Sequence, residues 1–313
     1  MYKKATLLLL AVSFFSKTIA AEAEITIGVN APRGELATLE QWTEVANTLS
    51  NKIGETVTVV PLKPKDMVPA AMQGRVDFFL SNPVQTIVIT ETGLGTPLAS
   101  LEKNAGKYFA GVIATKKGNG ITKVEHLKGR RIMAKTAKSA AGARVFQEYH
   151  IQQQGVKLAE DGITLINSKK QDDAILAVAV GIMDAAFVRS GVLESMSKAG
   201  KIDLEEFFII DHQHNKTTDC QRDKSFNLLH STRLYPEWYL LSAKATNAKT
   251  ASKLKDAALS ILPDSSAAQT AKIKGFFTPP LSMEPLKEAL KALNLPPFTK
   301  EEQTPSENLK SPL

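Results

Sequence analysis

The chain has 313 residues, 43% of them apolar and 23% charged, with a formal charge of +7. That length and composition suit two lobes of ordinary domain size and exclude a disordered chain. The basic residues are scattered without an aromatic-interleaved patch, which argues against nucleic acid as a partner, and the single cysteine, Cys220, excludes an internal disulfide.

Residues 1–20, MYKKATLLLLAVSFFSKTIA, combine a Lys3–Lys4 start, an apolar run from Leu7 to Phe15 and small residues at Thr18 and Ala20. This pattern reads as a cleavable secretory signal peptide, because the apolar run is too short to span a bilayer. No cysteine near the cut could carry a lipid. A freely diffusing periplasmic protein, not inserted in the membrane, is the expectation.

From Glu24 onward, apolar runs alternate with helical patterns. The strand candidates are EITIGV, TVTVVPL, VDFFLS, YFAGVIAT, RIMAK, GITLIN, DAAFV, FFIID, FNLLHS and WYLLSA. Between the first two, Leu36, Leu39, Trp42, Ala46, Leu49 and Ile53 recur at helical spacing and predict a helix over 35–53. Such alternation implies an α/β architecture of parallel sheets covered on both faces.

One pattern occurs twice. AMQGRVDFFLSN (71–82) and VAVGIMDAAFVR (178–189) share a helix end, a glycine, an aspartate and a buried strand. Gly74 and Gly181 would adopt the left-handed conformation after their helices, while Asn82 and Arg189 fall at equivalent strand ends. The repeat predicts two similar lobes. In open sheets ligands bind beyond the carboxyl ends of the strands, so Asn82 and Arg189 become candidates from opposite walls of a cleft.

Two turns strengthen that reading. In SNPVQTIV, Asn82 can cap a helix that starts at Pro83, presenting the amides of Val84 and Gln85. In RIMAKTAKSAAGARVF, residues 131–135 read as a strand and Ser139 as the cap of a helix reaching Gln154, with Gly155 as its stop. Ala140, Ala141 and Gly142 leave the first-turn amides unobstructed, so this turn with Lys135 or Lys138 suits an anion. An ordinary cap with solvated lysines fits the spacing as well. Arg189 suits an oxyanion by two-point contact, and an ion pair with Glu194 or Asp184 fits it equally.

DHQHNKTTDC (211–220) gathers His212, His214 and Cys220 in a polar stretch without metal-site spacing. A solvated loop is the better reading, with a metal-binding protein or a small-molecule hydrolase as the alternative. No nucleophile motif, phosphate loop or cofactor fingerprint occurs, so no enzyme, cofactor or metal is expected. In HSTRLYPEWYL, Trp238 and Tyr239 read as core, with Tyr235 or His230 able to line a cleft.

With LSNPVQ, FAGVIATK, KSAAG, GIMDAAFVRSGVLESMSKAGKIDLEEF and LLHSTRLYPEW located, the chain resembles the type 2 periplasmic binding proteins. Within them it is similar to the phosphonate-binding-protein-like branch, and most similar to the sensor domains of tetrathionate-sensing histidine kinases. The resemblance spans residues 25–298. It implies a two-lobed α/β fold with two hinge strands, closing over one small anionic ligand. Lobe 1 would comprise 25–110 and 226–298, lobe 2 residues 111–213, with a polar loop at 214–225, a disordered tail at 299–313, and Ala114 and Ile210 near the hinge. The partner would be an ABC permease or a membrane sensor histidine kinase, and the protein a monomer.

The chain departs from that group in carrying Gln85-Thr86 where His-Tyr is usual, and Ser139-Ala140-Ala141-Gly142 where relatives grip an oxyanion with Ser/Thr and Gly. The candidate ligand-binding residues are Asn82, Pro83, Gln85, Tyr108, Lys135, Ser139, Ala140, Gly142, Arg189 and Ser190.

Overall fold

The computed structural model describes residues 24–212 and 226–299. The expected signal peptide, the polar loop with His214 and Cys220, and all of the expected tail but Thr299 lie outside the described residues.

The chain opens with β1 (Ile25–Asn30), α1 (Glu35–Ile53) and β2 (Val57–Leu62). Helix α1 buries Trp42, Val45, Ala46 and Leu49 against the sheet and ends at Gly54, whose left-handed conformation directs its N–H to the Ser50 carbonyl. Leu36 lies off that stripe and is exposed. After α2 (Met67–Met72) come β3 (Phe78–Ser81), α3 (Pro83–Glu91) and β4 (Gly95–Lys103). The chain then crosses through β5 (Tyr108–Phe109) into β6 (Gly111–Lys116), followed by β7 (Arg131–Ala134), a five-residue π-turn at Ala141–Val145, and α4 (Phe146–Gln153). Next are β8 (Thr164–Asn167), α5 (Gln171–Ala179), β9 (Ala185–Arg189), α6 (Val192–Lys198) and β10 (Phe207–Ile209). The return runs through β11 (Tyr235–Pro236) into β12 (Tyr239–Ala243), α7 (Ala248–Leu259), α8 (Ser266–Ala271), β13 (Ile273–Phe277) and α9 (Glu284–Ala292).

Two large sheets result, ordered β13-β4-β12-β3-β1-β2 and β10-β6-β9-β7-β8, each the centre of one lobe, with β11 and β5 forming a third of two strands. They are mixed where purely parallel sheets were expected. The β1–β2, β1–β3, β7–β8 and β7–β9 pairs are parallel, but β12, β4, β6 and β10 run antiparallel to their neighbours. YFAGVIAT divides at Ala110 into β5 and β6, and the expected FNLLHS strand is irregular.

The sequence repeat has a structural counterpart. Gly74 and Gly181 take φ values of 61° and 76°. The Asp77 carboxylate accepts from the Thr26 amide and hydroxyl at 2.9 and 2.7 Å, tying β3 to the start of β1. The Asp184 carboxylate accepts from the Arg131 amide at 2.8 Å, tying β9 to the start of β7. Each aspartate sets the register of its strand against a parallel neighbour, so Asn82 and Arg189 emerge at corresponding ends.

The crossing lies at β5 and β11, which pair antiparallel through Tyr235–Phe109 and Pro236–Tyr108. Ala114, expected near the hinge, instead sits inside the second sheet between Ile209 and Ala186, and Ile210 hydrogen bonds there to Ile113. Before β11 the returning chain lies along β6. The Ser231 and Thr232 amides donate to the Gly111 carbonyl, and their hydroxyls accept from Ile113 and Gly111. These contacts account for full burial of two hydroxyl residues. An apolar cluster joins the lobes beside the crossing: Ile87 of α3, Phe109, Phe146 and Tyr149 around α4, Tyr235, and Leu286 and Leu290 of α9.

Candidate functional site

Between the lobes lies a cavity of about 370 Å³. Lobe 1 contributes Asn30, Pro32, Pro64, Asn82 and Trp238; the crossing contributes Phe109; the facing wall carries Lys135, Ser139, Ala140, Gly142, Asn167, Gln171 and Arg189. Its floor is therefore built from strand ends and helix starts, where backbone donors are not used by secondary structure.

Asn82 is held by local chemistry. Its Oδ1 accepts from the amides of Val84 and Gln85 at 2.9 and 3.1 Å, as expected of an N-cap before Pro83. Its Nδ2 donates across the cleft to the Ser139 carbonyl at 3.3 Å, so the two walls touch in this structure.

The second wall differs from the expected capped α-helix. Ala140 occupies the N-cap position without a side-chain cap, and the chain enters a π-turn before α4. Ser139 takes part through its carbonyl, which accepts from Ala141 as well as from Asn82. Packing explains the wide turn. A Cβ on Gly142 would lie 2.8 Å from the Phe109 ring and 3.2 Å from the Ala110 carbonyl, so the backbone is pressed against the crossing strand. Arg144 fastens the loop from outside, donating to the Thr136 carbonyl and to Glu148. The amides of Gly142, Ala143 and Arg144 have no acceptor among the described residues. A π-turn leaves one more such donor than an α-turn, and these three face no internal competitor for an anion.

Arg189 stands over the Phe109 ring at 4.0 Å and pairs with Glu237, not with Glu194 or Asp184. Glu194 is engaged by the Leu229 amide, and Asp184 by Arg131. The Glu237 side chain is 0% exposed, and its second oxygen lies 3.7 Å from the Lys103 ammonium. Two cations thus flank one buried carboxylate, leaving the group positive. Burial lowers the Lys103 pKa to about 8, opposed by the Glu237 charge and assisted by Arg189 and Arg33. Desolvation also lowers Lys135, countered by Asp173; its ammonium donates to the Lys169 carbonyl.

Six of the ten candidates therefore line one cavity: Asn82, Lys135, Ser139, Ala140, Gly142 and Arg189. The other four do not. Pro83 starts α3 and is buried. Gln85 turns away, donating to the Pro64 carbonyl at 2.8 Å. Tyr108 pairs with Pro236 in the crossing. Ser190 clamps the hinge, its hydroxyl accepting from the Ala110 amide while its own amide donates to the Ala110 carbonyl.

Sequence reasoning missed Asn30, Asn167, Gln171 and the Glu237 partner; Trp238 is core as expected and also borders the cavity. Asn30 follows the same strand-end rule that singled out Asn82, and an acid within the apolar run YPEWYL was a signal for a buried ion pair. His212 hydrogen bonds through Nδ1 with the His230 carbonyl at 3.2 Å. Among the described residues no group of three or more His, Cys, Asp or Glu could hold a metal.

Two mixed α/β lobes, a double crossing and a cleft lined by strand ends define the type 2 periplasmic binding fold. Residues 27–280 match the family described as ABC transporter, phosphonate, periplasmic substrate-binding protein, and the chain belongs to that family. Among curated proteins it is 28% identical over 227 residues to the tetrathionate sensor histidine kinase of Salmonella typhimurium, covering 71% of this chain and 37% of that one. The chain thus spans little more than a third of that relative. Among solved structures it is similar to PhnD1 from Prochlorococcus marinus in complex with methylphosphonate, with TM-score 0.68 and 15% identity over 87% of this chain and 98% of that one. It is also similar to XAC2383 from Xanthomonas citri bound to ATP, with TM-score 0.70 and 11% identity over the same shares. No helix among the described residues is long and apolar enough to cross a membrane.

Proposed function

We propose that this periplasmic substrate-binding protein captures a small oxyanion or organic anion between its lobes and passes it, or the closed form that it induces, to a membrane partner. The observation that carries the reading is a cleft in which two residues with unengaged amides, Gly142 and Ala143, line the same cavity as Arg189 and Lys135. An anion there would gain backbone donors at a helix start and cationic side chains in a partly dry site. Asn82 would contact it from the other lobe. Lobe motion would be taken up at β5 and β11, with the lobe boundary at Ala110 and Gly111.

Capture is the reading that the oriented donors of this site favour. The partner would be an ABC permease or a sensor kinase, since the family supplies the first and the curated relative is the second. Export by the cleavable leader at residues 1–20 completes the reading.

The test is a thermal-shift screen across phosphonates, phosphite, sulfur oxyanions, arsenicals and small carboxylates. A ligand selective for the folded state, at one hundred times its Kd, should add about 2.7 kcal/mol of stability. A panel without any shift, alongside neutral or cationic ligands that do shift the protein, would reverse the assignment.

A further inference from the structure

A second, smaller cavity of about 70 Å³ adjoins the main cleft, sharing Asn30, Pro32 and Trp238 with it. Beyond those residues it is lined by Arg33, Thr38, Gln41 and Lys103. The main cleft needs none of these polar groups for an anion held at Gly142 and Arg189.

Charge is unbalanced here. Arg33 and Arg189 each lie close enough to disfavour the charge on Lys103, and the carboxylate between Lys103 and Arg189 is Glu237. Arg33 is exposed and has no acidic partner among the described residues. The Lys103 ammonium is held 4.8 Å over the Trp238 ring, on the shared edge between the two cavities. Asn30 is 4% exposed, lines both cavities, and its Oδ1 is sealed from water without a hydrogen-bond partner; its Nδ2 donates to no group among the described residues either. An anion cannot satisfy that acceptor, so the group left for a ligand oxyanion is the Asn30 Nδ2 donor at the edge of both cavities.

We infer that the small cavity is a second anion subsite, in which Arg33, Lys103 and Asn30 receive the far end of a ligand carrying two separated anionic groups. This rests on the anion-binding reading of the cleft and sharpens it to a two-headed substrate class. One head would sit at the Gly142 turn beside Arg189, and the other beyond Trp238. A ligand of two negative charges would neutralise the excess that Glu237 leaves, which a singly charged one would not.

The experiment is calorimetric titration of the mature protein with matched probes: ethanesulfonate against 1,2-ethanedisulfonate, and ethylphosphonate against 3-phosphonopropionate. The second head should tighten binding about tenfold or more, the effect of one charge-assisted hydrogen-bonded contact. Arg33→Gln, at an exposed residue that the fold does not need, should remove most of that preference while leaving one-headed probes within about twofold. Lys249→Gln, which removes an exposed lysine on α7, should leave the preference intact. Equal affinity for one- and two-headed probes overturns the subsite, as does equal weakening of both by Arg33→Gln, or the same loss with Lys249→Gln. If no probe binds at about 10 mM, the anion reading of the cleft itself falls and the subsite falls with it.

Discussion

Replacing Arg189 by alanine separates two roles that the geometry gives it. A ligand-binding arginine kept free in the cleft could be removed without affecting the empty protein. Here the guanidinium is the main counter-charge of Glu237, whose side chain is 0% exposed and whose other oxygen makes no hydrogen bond. Removing one member of a buried pair costs about 3–5 kcal/mol, because the remaining charge has lost its water and its partner. Lys103 at 3.7 Å retains part of the compensation, while the lost stacking on Phe109 adds about 0.5 kcal/mol or more. The net expectation is a loss of about 2–4 kcal/mol in unliganded stability, read as a fall in Tm of roughly 5–15 °C for lobes of this size. Urea denaturation and calorimetry of the anion-free protein measure it directly. The double variant Arg189→Ala/Glu237→Gln removes the stranded charge and should recover at least half of the loss. Refutation would be an Arg189→Ala protein melting within about 1 °C of the parent, or a double variant no more stable than the single one.

Gly142→Val drives a side chain into the Phe109 ring and the Ala110 carbonyl, so anion affinity should fall at least tenfold together with a loss of about 1–3 kcal/mol in stability. Ser139→Ala should leave the melting temperature unchanged, since the turn engages the Ser139 carbonyl and no side-chain cap; a fall of several degrees would restore the hydroxyl as a cap. Asn82→Ala loses a cap that serves two amides and the bond across the cleft, costing about 1–2 kcal/mol by denaturation. The pH response of Lys103 has a defined sign. Its proton is held less tightly in the folded protein, near pH 8, than in the unfolded chain, near 10.5, so the unfolded state binds more protons between those values. Across that window the parent should gain stability relative to Lys103→Met, and below pH 8 this difference should be flat. Over the same rise in pH, anion affinity should decline as the ammonium discharges. A stability difference that stays constant from pH 7 to 10 contradicts the assigned burial.

Local chemistry made much of this molecule legible. The α1 stripe, the Gly-x-x-Asp repeat and the Asn82 cap are each determined within a dozen residues, so they could be read directly. Strand β4, with Gly95, Pro97 and two charged residues in GTPLASLEK, lacks the alternation that marks a strand and is held by β12 and β13 on either side. The π-turn was read as an ordinary helix start because its width follows from the approach of Phe109 to Gly142, a contact without a trace in local spacing. The partner of Arg189 lies 48 residues away, nearer in space than either acid first considered. Half of the cleft was legible for the same reason: strand ends carry a rule, whereas Glu237 and Lys103 meet only through tertiary folding.

Capture by closure is the central claim, and solution scattering tests it most directly. Across the cleft the walls touch through the polar contact of Asn82 with Ser139, while the apolar cluster packs beside the crossing strands β5 and β11 and leaves the cleft free to open about that side. A ligand touching both walls has higher affinity for the closed form and must shift the population towards it. Saturation with the anion that gives the largest thermal shift should therefore reduce the radius of gyration. An unchanged radius, with binding of that anion established by calorimetry in the same buffer, would contradict closure about the crossing and remove the site from between the lobes.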